Sequence, residues 1–227
     1  LAGVTPSELH EAALEGVLRR FRGRVSLASG PSADTAEPHE ERPPISRTNC
    51  FDGRFGYLRL SSIVPETAGA LAGALDTLKA SNRLEGLVLD LRFASGTDYA
   101  AAARVADGFV SGERLLLRWG GQTASSTAKT NAFAGPVMVL VNSKTAGAAE
   151  AVAGMLRETG VGLLIGSATA GLANVFTEFP LSNGQKLLVA TAQVELGSGA
   201  TVPAEGLAPD IAVTVTLQEE GLFLADP

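Results

Sequence analysis

Residues 137–159 decide the fold, and they read VMVLVNSKTAGAAEAVAGMLRET. The first five of these residues are apolar and mostly β-branched, which is typical of a strand buried on both faces of a parallel sheet. After Asn142, apolar residues recur at helical spacing, and we predict a helix from about Ala146 to Thr159. A buried strand that leads directly into a helix is half of a βαβ unit.

The same alternation of short strands and helices continues on both sides of this segment. We predict strands at residues 55–60, 87–91, 115–119, 163–165, 175–179, 186–194 and 211–215, and helices at about 9–21, 65–78 and 99–109. The Asn183-Gly184 pair predicts a hairpin. Strands that alternate with helices need crossover connections, which place the strands parallel in one sheet. We therefore expect an α/β fold with a mixed, largely parallel sheet and an N-terminal helical arm.

Composition divides the chain into three segments. We predict a helical segment at residues 1–27, a linker or loop at 28–54 and an α/β core at 55–227. The linker prediction rests on residues 28–44, which contain four prolines, several small residues and mixed charges. This stretch could serve as a mobile tether.

Charge and composition exclude several classes of function. A net charge of −6 argues against a general affinity for nucleic acid. One cysteine allows neither an intrachain disulfide nor a thiolate metal cluster, and two histidines argue against a zinc site built on several histidines. No apolar run reaches the length of a membrane span. We expect no cofactor and no metal.

Chemistry is expected at the junction between the strand at 137–141 and the helix after it. In α/β folds, ligands and nucleophiles lie at the carboxyl ends of strands. A helix that begins there points backbone N–H groups and its positive dipole end into the crevice. Glu150 falls in the first turn, where a carboxylate favours the helix dipole. Asp90 and Arg92, at the end of the strand at 87–91, are predicted to form a structural ion pair.

This junction resembles the nucleophile segment of the tail-specific, or C-terminal processing, serine proteases. In that family the segment reads Val-Leu-Val-Asn, two variable residues, Ser-Ala-Ser-Ala-Ser-Glu and an apolar helix. The middle Ser is the nucleophile, and a Lys 25 residues later is the general base. Here Gly147 stands at the position of the Ser and Leu172, also 25 residues later, at that of the Lys. Phe176 replaces a Gln that orients the Lys.

Other family landmarks follow in the same order between residues 55 and 215. Residues 56–60, 86–92 and 206–211 are similar to its Gly-Tyr-Ile-Arg-Ile, Gly-Leu-Ile-Leu-Asp-Leu-Arg and Gly-Ile-X-Pro-Asp-Ile segments. The resemblance implies the ββαβ-type protease core, a crotonase-like or ClpP-like fold. The family usually carries a PDZ-type domain before this core. Only about thirty residues separate Arg24 from Phe55, so the resemblance implies that this module is absent.

The departures from the family pattern predict a loss of catalysis. Gly147 has no side chain to attack with, Leu172 cannot accept a proton, and a Ser–Lys dyad needs both members. Residues 93–97 read FASGT and keep one glycine, Gly96, of the pair that supplies part of the family's oxyanion hole. The resemblance then implies a non-catalytic relative whose old cleft binds a peptide or protein C-terminus, or a small amphipathic ligand. The predicted binding residues are Gly96, Gly147, Ala148, Leu172 and Phe176.

Two alternatives stay open. An active serine-type peptidase could use Thr145 or Ser143 as a relocated nucleophile. Thr145 would then need a base from elsewhere, Lys129 or Lys186, whereas Ser143 and Lys144 are adjacent in a turn and form a poor dyad. The simpler interpretation is that Ser143 and Thr145 cap the helix that follows. A scaffold subunit that assembles with other proteins is the third possibility, and the oligomeric state is open. The resemblance implies a periplasmic or otherwise extracytoplasmic location.

Overall fold

A computed structural model describes residue 5, residues 12–14, 16–18, 20–21, 23–28, 43–182 and 184–225. The chain forms two compact units. The first comprises Leu1–His39 and Asn174–Gln193, and the second comprises Glu40–Ala173 and Val194–Pro227.

The described strands and helices are as follows. The strands are β1 Val25–Ala28, β2 Ile45–Phe51, β3 Phe55–Leu60, β4 Gly86–Asp90, β5 Leu115–Trp119, β6 Gln122–Ser125, β7 Val137–Val141, β8 Gly162–Gly166, β9 Asn174–Pro180, β10 Lys186–Gln193, β11 Glu195–Leu196 and β12 Ile211–Ala212. The helices are α1 Thr67–Ser81, α2 Tyr99–Asp107, α3 Ala148–Glu158 and α4 Leu217–Ala225. Residues 12–14, 16–18 and 20 are also helical, inside the predicted helix at 9–21, the rest of which lies largely outside the described residues.

A six-stranded sheet in the order β12-β8-β7-β4-β3-β2 forms the centre of the second unit. Five of its strands run parallel, and β2 pairs antiparallel with β3. The crossovers α1, α2 and α3 connect successive parallel strands, as the alternating pattern predicts. The prediction of a mixed, largely parallel α/β sheet is confirmed.

The hydrophobic core lies where α2 and α3 pack together beside this sheet. On β4 and β7, Leu87, Leu89 and Val139 have no exposed surface. Both helices are rich in alanine, and their small side chains, such as Ala102 and Ala149, are completely buried. Because small residues allow a close approach, α2 and α3 pack closely against each other.

The structure departs from the predicted elements at several places. Residues 45–51 form strand β2 where a linker was expected, and residues 29–42 lie outside the described part of the chain. Asp52 and Gly53 join β2 to β3, and both have positive φ angles, which is the geometry of a tight Asp-Gly hairpin. That dipeptide is the sequence signal that could have identified β2. Helix α4 was not predicted, and the predicted strand at 211–215 ends at Ala212.

The first unit contains the antiparallel sheet β1-β10-β9. Strands β9 and β10 form the predicted hairpin, with Pro180 opposite Lys186. Gly184 lies in the turn with a φ angle of 82°, and Asn183 is outside the described residues. Among the described helices, none is long and apolar enough to cross a membrane.

Candidate functional site

The candidate site lies at the carboxyl ends of β4, β7 and β8. Three loops leave the sheet there, at residues 91–98, 142–147 and 167–173. The second of them leads into the N-terminus of α3, which brings the junction singled out in the sequence to the edge of the sheet where ligands bind in α/β folds. Within the described residues, no group of three or more His, Cys, Asp or Glu side chains is placed to hold a metal ion.

Gly147, which the resemblance assigns to the nucleophile position, has a backbone conformation that few other residues adopt. It is the N-cap of α3, with φ 60° and ψ −121°. A Cβ atom on Gly147 would overlap the carbonyl oxygen of Gly96. That same oxygen accepts a hydrogen bond of 2.8 Å from the backbone N–H of Ala148. The space that a side chain at residue 147 would need is therefore filled by backbone, and the Ala148 N–H already donates to the Gly96 carbonyl.

The carboxylate of Glu150 joins the start of α3 to the loop after β8. Its side chain is completely buried. One carboxylate oxygen accepts hydrogen bonds from the backbone N–H groups of Gly147 and Leu172, at 2.9 and 2.7 Å. The other accepts from Gly171 N–H at 2.6 Å and from the Thr169 hydroxyl at 2.5 Å. The resemblance assigns residues 147 and 172 to nucleophile and base. Their backbone N–H groups donate to the same carboxylate oxygen of Glu150.

Besides its bonds to Glu150, the loop after β8 is hydrogen-bonded to residue 207 through Thr169. The Thr169 hydroxyl, which donates to Glu150, accepts a hydrogen bond of 2.8 Å from the backbone N–H of Leu207. Gly171 and Gly206 have positive φ angles, and a Cβ atom on either would overlap a backbone carbonyl oxygen of the facing segment. Two glycines therefore allow the loop to lie directly against residues 203–207.

The prediction that Ser143 and Thr145 cap α3 is wrong, since the N-cap is Gly147. The Thr145 hydroxyl donates to the carbonyl of Leu91 at 2.9 Å and accepts from Asn142 N–H at 3.0 Å. Its side chain is completely buried. Thr145 thereby ties the loop after β7 to the end of β4. Ser143 lies exposed in the turn after β7.

The two lysines considered as relocated bases are engaged elsewhere. Lys129 lies 2.5 Å from a carboxylate oxygen of Asp107 and donates to the backbone carbonyl of the same residue. Lys186 pairs with Glu178 at 2.7 Å in the first unit.

Four of the five predicted binding residues come together in the second unit. Gly96, Gly147 and Ala148 meet at the Gly96 carbonyl, and Leu172 is joined to them through Glu150. Phe176 lies in β9 of the first unit, opposite Ala190 of β10.

A groove of about 610 Å³ lies elsewhere, at the amino ends of β7 and β8. None of the five predicted binding residues lines it. Its lining includes Phe109, Lys129, Phe133, Pro136 and Val161.

Comparison with known proteins matches residues 54–213 to the model of peptidase family S41. The chain belongs to peptidase family S41. The resemblance to C-terminal processing proteases is thereby confirmed.

Two curated relatives show the extent of the S41 similarity. The carboxy-terminal-processing protease of Bartonella bacilliformis is 32% identical over 179 residues, which cover 74% of this chain and 41% of that protein. The chloroplastic C-terminal processing peptidase of Tetradesmus obliquus is 32% identical over 162 residues, covering 70% and 35%. This chain therefore spans less than half the length of these relatives.

Solved structures agree on the S41 fold. The photosystem II D1 C-terminal processing protease matches with a TM-score of 0.62 at 28% identity, over 75% of this chain and 48% of that one. A putative peptidase from Parabacteroides merdae matches with a TM-score of 0.71, over 96% and 79%, and at 18% identity it supports the fold alone.

A buried polar cluster lies beside the candidate site, at the end of β4. Asp90 has no exposed surface, and Arg92 donates to both of its carboxylate oxygens, at 3.0 and 2.6 Å. The Tyr57 hydroxyl donates to one of the same oxygens at 2.7 Å. The predicted ion pair between Asp90 and Arg92 is confirmed.

Helix α4 connects to this cluster through Glu220, its one buried residue among those described. Glu220 accepts a hydrogen bond of 2.7 Å from the side-chain amide of Asn142 and lies 3.7 Å from Arg92. The amide oxygen of Asn142 in turn accepts from Phe93 N–H and Lys144 N–H. Sequence analysis missed α4, although residues 216–219 carry a signal for it. Thr216 and Glu219 form a reciprocal capping box there.

The Tyr57 hydroxyl gives a testable prediction. Tyr57→Phe is expected to lower the free energy of unfolding by about 1.5–3 kcal/mol, because a hydrogen bond to a buried carboxylate is lost. Burial, together with the charge of Asp90, raises the pKa of Tyr57 above its ordinary value of 10. The Tyr57 contribution is therefore complete below about pH 10 and is lost as the pH rises further.

Urea unfolding of both proteins at pH 7 measures the loss, and alkaline absorbance titration follows the two tyrosines of the chain. Equal stability of the two proteins, or ionisation of both tyrosines near pH 10, would contradict the prediction.

Proposed function

We propose that this S41 chain is a catalytically inactive member of its family that binds a peptide or protein C-terminus at the former active-site cleft. The observation that carries the proposal is the position of the Gly96 carbonyl. It fills the space of a nucleophile side chain at Gly147 and holds the N–H of Ala148. An oxyanion site needs free, preorganised hydrogen-bond donors. Here the backbone N–H of Gly147 donates to Glu150, and that of Ala148 donates to the Gly96 carbonyl.

The ligand class rests on family membership, since the curated relatives carry names of carboxy-terminal processing enzymes. Lys144 supplies a complementary charge. It is exposed in the turn after β7, three residues before Gly147, and makes no ion pair with the other described residues. An exposed ammonium group at this edge attracts a free C-terminal carboxylate. A small amphipathic ligand is the second ligand class for the same cleft. We place the protein outside the cytoplasm, on the strength of the family resemblance.

The alternative of a relocated peptidase has little support from the geometry. A nucleophile must reach its substrate, and the Thr145 hydroxyl is buried and bonded on both sides. Ser143 is accessible, but it lies in a turn next to Lys144. Adjacent residues in a turn point in different directions, which makes a poor dyad.

One titration tests both parts of the proposal. An unstructured labelled peptide with a free C-terminal carboxylate is expected to bind, as measured by fluorescence anisotropy, and to stay uncut, as measured by mass spectrometry. Lys144→Gln is expected to weaken binding about two- to fivefold, the range of an exposed ion pair. The control is the same peptide with an amidated C-terminus, whose affinity should not depend on Lys144.

Cleavage by the native chain that Ser143→Ala abolishes would overturn the assignment as inactive. Absence of binding by peptide and by small amphipathic probes would overturn the assignment as a binding protein.

A further inference from the structure

Helix α4 is attached to the rest of the second unit mainly through one side chain, that of Glu220. Leu222 and Phe223, on the same helix, are 68% and 58% exposed. Among the described strands and helices, none makes an extensive contact with α4. Gly221, inside the helix, has a low helix propensity. A segment with so few buried apolar contacts opens locally at a low cost in free energy.

Asn142 connects Glu220 to two loops of the candidate site, those at 91–98 and 142–147. Its amide oxygen accepts hydrogen bonds from the backbone N–H groups of Phe93 and Lys144, at 3.2 and 3.0 Å. Its NH₂ group donates to a carboxylate oxygen of Glu220 at 2.7 Å. The side chain of Asn142 is buried, and only this orientation of the amide satisfies both of its ends. Glu220 therefore fixes the amide that holds the two loops.

Phe93 has a backbone conformation that needs such a restraint. Its φ angle is 62°, which is rare for a bulky residue. A residue in this strained region stays there only where the surrounding structure holds it. The chain continues from Phe93 to Gly96, whose carbonyl accepts the hydrogen bond from Ala148 N–H. A change of φ at Phe93 is therefore expected to move the Gly96 carbonyl away from the start of α3.

Arg92 contacts α4 at a second place. Its guanidinium group lies 3.7 Å from a carboxylate oxygen of Glu220 and 5.5 Å from the centre of the Phe223 ring. The same guanidinium donates two hydrogen bonds to Asp90. Because Asp90 keeps Arg92 in place without α4, detachment of the helix acts on the loops chiefly through Asn142.

We propose that α4 is an autoinhibitory helix of the candidate site. While Glu220 binds Asn142, both loops stay in a closed arrangement, in which the Gly96 carbonyl accepts from Ala148 N–H. When α4 detaches, Phe93 leaves its strained conformation and the Gly96 carbonyl withdraws. The Ala148 N–H is then free to donate to a peptide carboxylate, so that the ligand favours the open state. This regulatory role rests on the proposed function, whereas the coupling of α4 to the loops does not.

Amide hydrogen exchange of the full chain, followed by NMR, tests the coupling. Three amides report on the loops, those of Phe93, Lys144 and Ala148. Glu220→Ala is expected to raise their exchange rates about 10- to 100-fold, the range for the loss of a hydrogen bond to a charged group. Glu220→Gln keeps an acceptor for the Asn142 amide and should exchange nearly as slowly as the native protein.

Phe93→Gly tests the same coupling without removing any contact of α4. Glycine adopts a positive φ angle without strain, so the closed arrangement becomes more stable. Exchange at the Ala148 amide is expected to slow about fivefold or more. This variant keeps the proposal testable if Glu220→Ala fails to fold.

Fluorescence anisotropy with an unstructured labelled peptide that has a free C-terminal carboxylate tests the regulation. Glu220→Ala is expected to lower the dissociation constant about tenfold, because a larger fraction of the protein is competent to bind. A purely structural role of Glu220 predicts weaker or unchanged binding. Leu222→Ala, which shortens an exposed side chain of the same helix, is the matched control and should behave like the native protein in both measurements.

Unchanged exchange at the three amides in Glu220→Ala would overturn the proposal, as would an acceleration that Glu220→Gln shares in full. Phe93→Gly without slower exchange at Ala148 would overturn it as well. Faster exchange without tighter binding, in a chain whose native form binds the peptide, would exclude autoinhibition. If the amides respond as expected but neither the native chain nor Glu220→Ala binds the peptide or small amphipathic probes, the proposed function fails and the coupling of α4 to the loops stands.

Discussion

Replacing Glu150 by Gln is expected to lower the free energy of unfolding by about 3 kcal/mol or more, since buried donors are left unsatisfied at 1–3 kcal/mol each. Each carboxylate oxygen of Glu150 accepts two hydrogen bonds. Whichever oxygen becomes an NH₂ group in the variant then faces donors that cannot turn away, because three of the four are backbone N–H groups. The loop at 169–172 is expected to detach from the start of α3.

Urea unfolding at pH 7 measures the loss, and hydrogen exchange locates it. Faster exchange is expected at the amides of Gly147, Gly171 and Leu172, which donate to Glu150 in the native protein. Glu66→Gln is the matched control, because Glu66 is exposed and caps α1 without a side-chain hydrogen bond. If both substitutions change stability by the same small amount, Glu150 does not organise the site.

Restoring a side chain at Gly147 is expected to damage the fold without restoring activity. Gly147→Ser should lower the free energy of unfolding by about 3 kcal/mol, from backbone strain and the loss of a buried hydrogen bond. The new Cβ atom would overlap the Gly96 carbonyl, so that the loop at 93–98 must move and the Ala148 N–H loses its partner. We expect the Gly147→Ser/Leu172→Lys double variant to cleave neither an unstructured peptide nor casein.

Gly73→Ala in α1 is the control for the loss of a glycine. A Cβ atom there meets nothing within 4 Å, and the substitution in a helix should stabilise the protein by about 0.5–1 kcal/mol. Thermal unfolding compares the variants, and mass spectrometry follows the substrates. Peptide cleavage by the double variant, absent from the native chain, would show that the loop at 93–98 can withdraw and that the oxyanion donors can be freed.

The central fold could be predicted because its signals are local. The apolar runs at β4 and β7, and the helical spacing of apolar residues after β7, follow from the burial of these elements in the core. Strand β2 was missed because its neighbours suggested a linker, although Asp52-Gly53 marks its hairpin. Helix α4 was missed because it is largely exposed, and an exposed helix has no clear apolar face to detect.

Sequence alone determined the family resemblance, and it showed that Gly147 and Leu172 carry neither a hydroxyl nor an amine. Only the tertiary structure decided which loops surround these two residues and which groups contact them. The Gly96 carbonyl approaches Gly147, Glu150 reaches Thr169 nineteen residues away, and Asn142 meets Glu220 across 78 residues. Such contacts depend on how separate loops meet at one edge of the sheet. The periodicity of apolar residues predicts strands and helices, because these elements bury the core. It does not predict these contacts, because the conformation of each loop depends on the hydrogen bonds that its own backbone groups make.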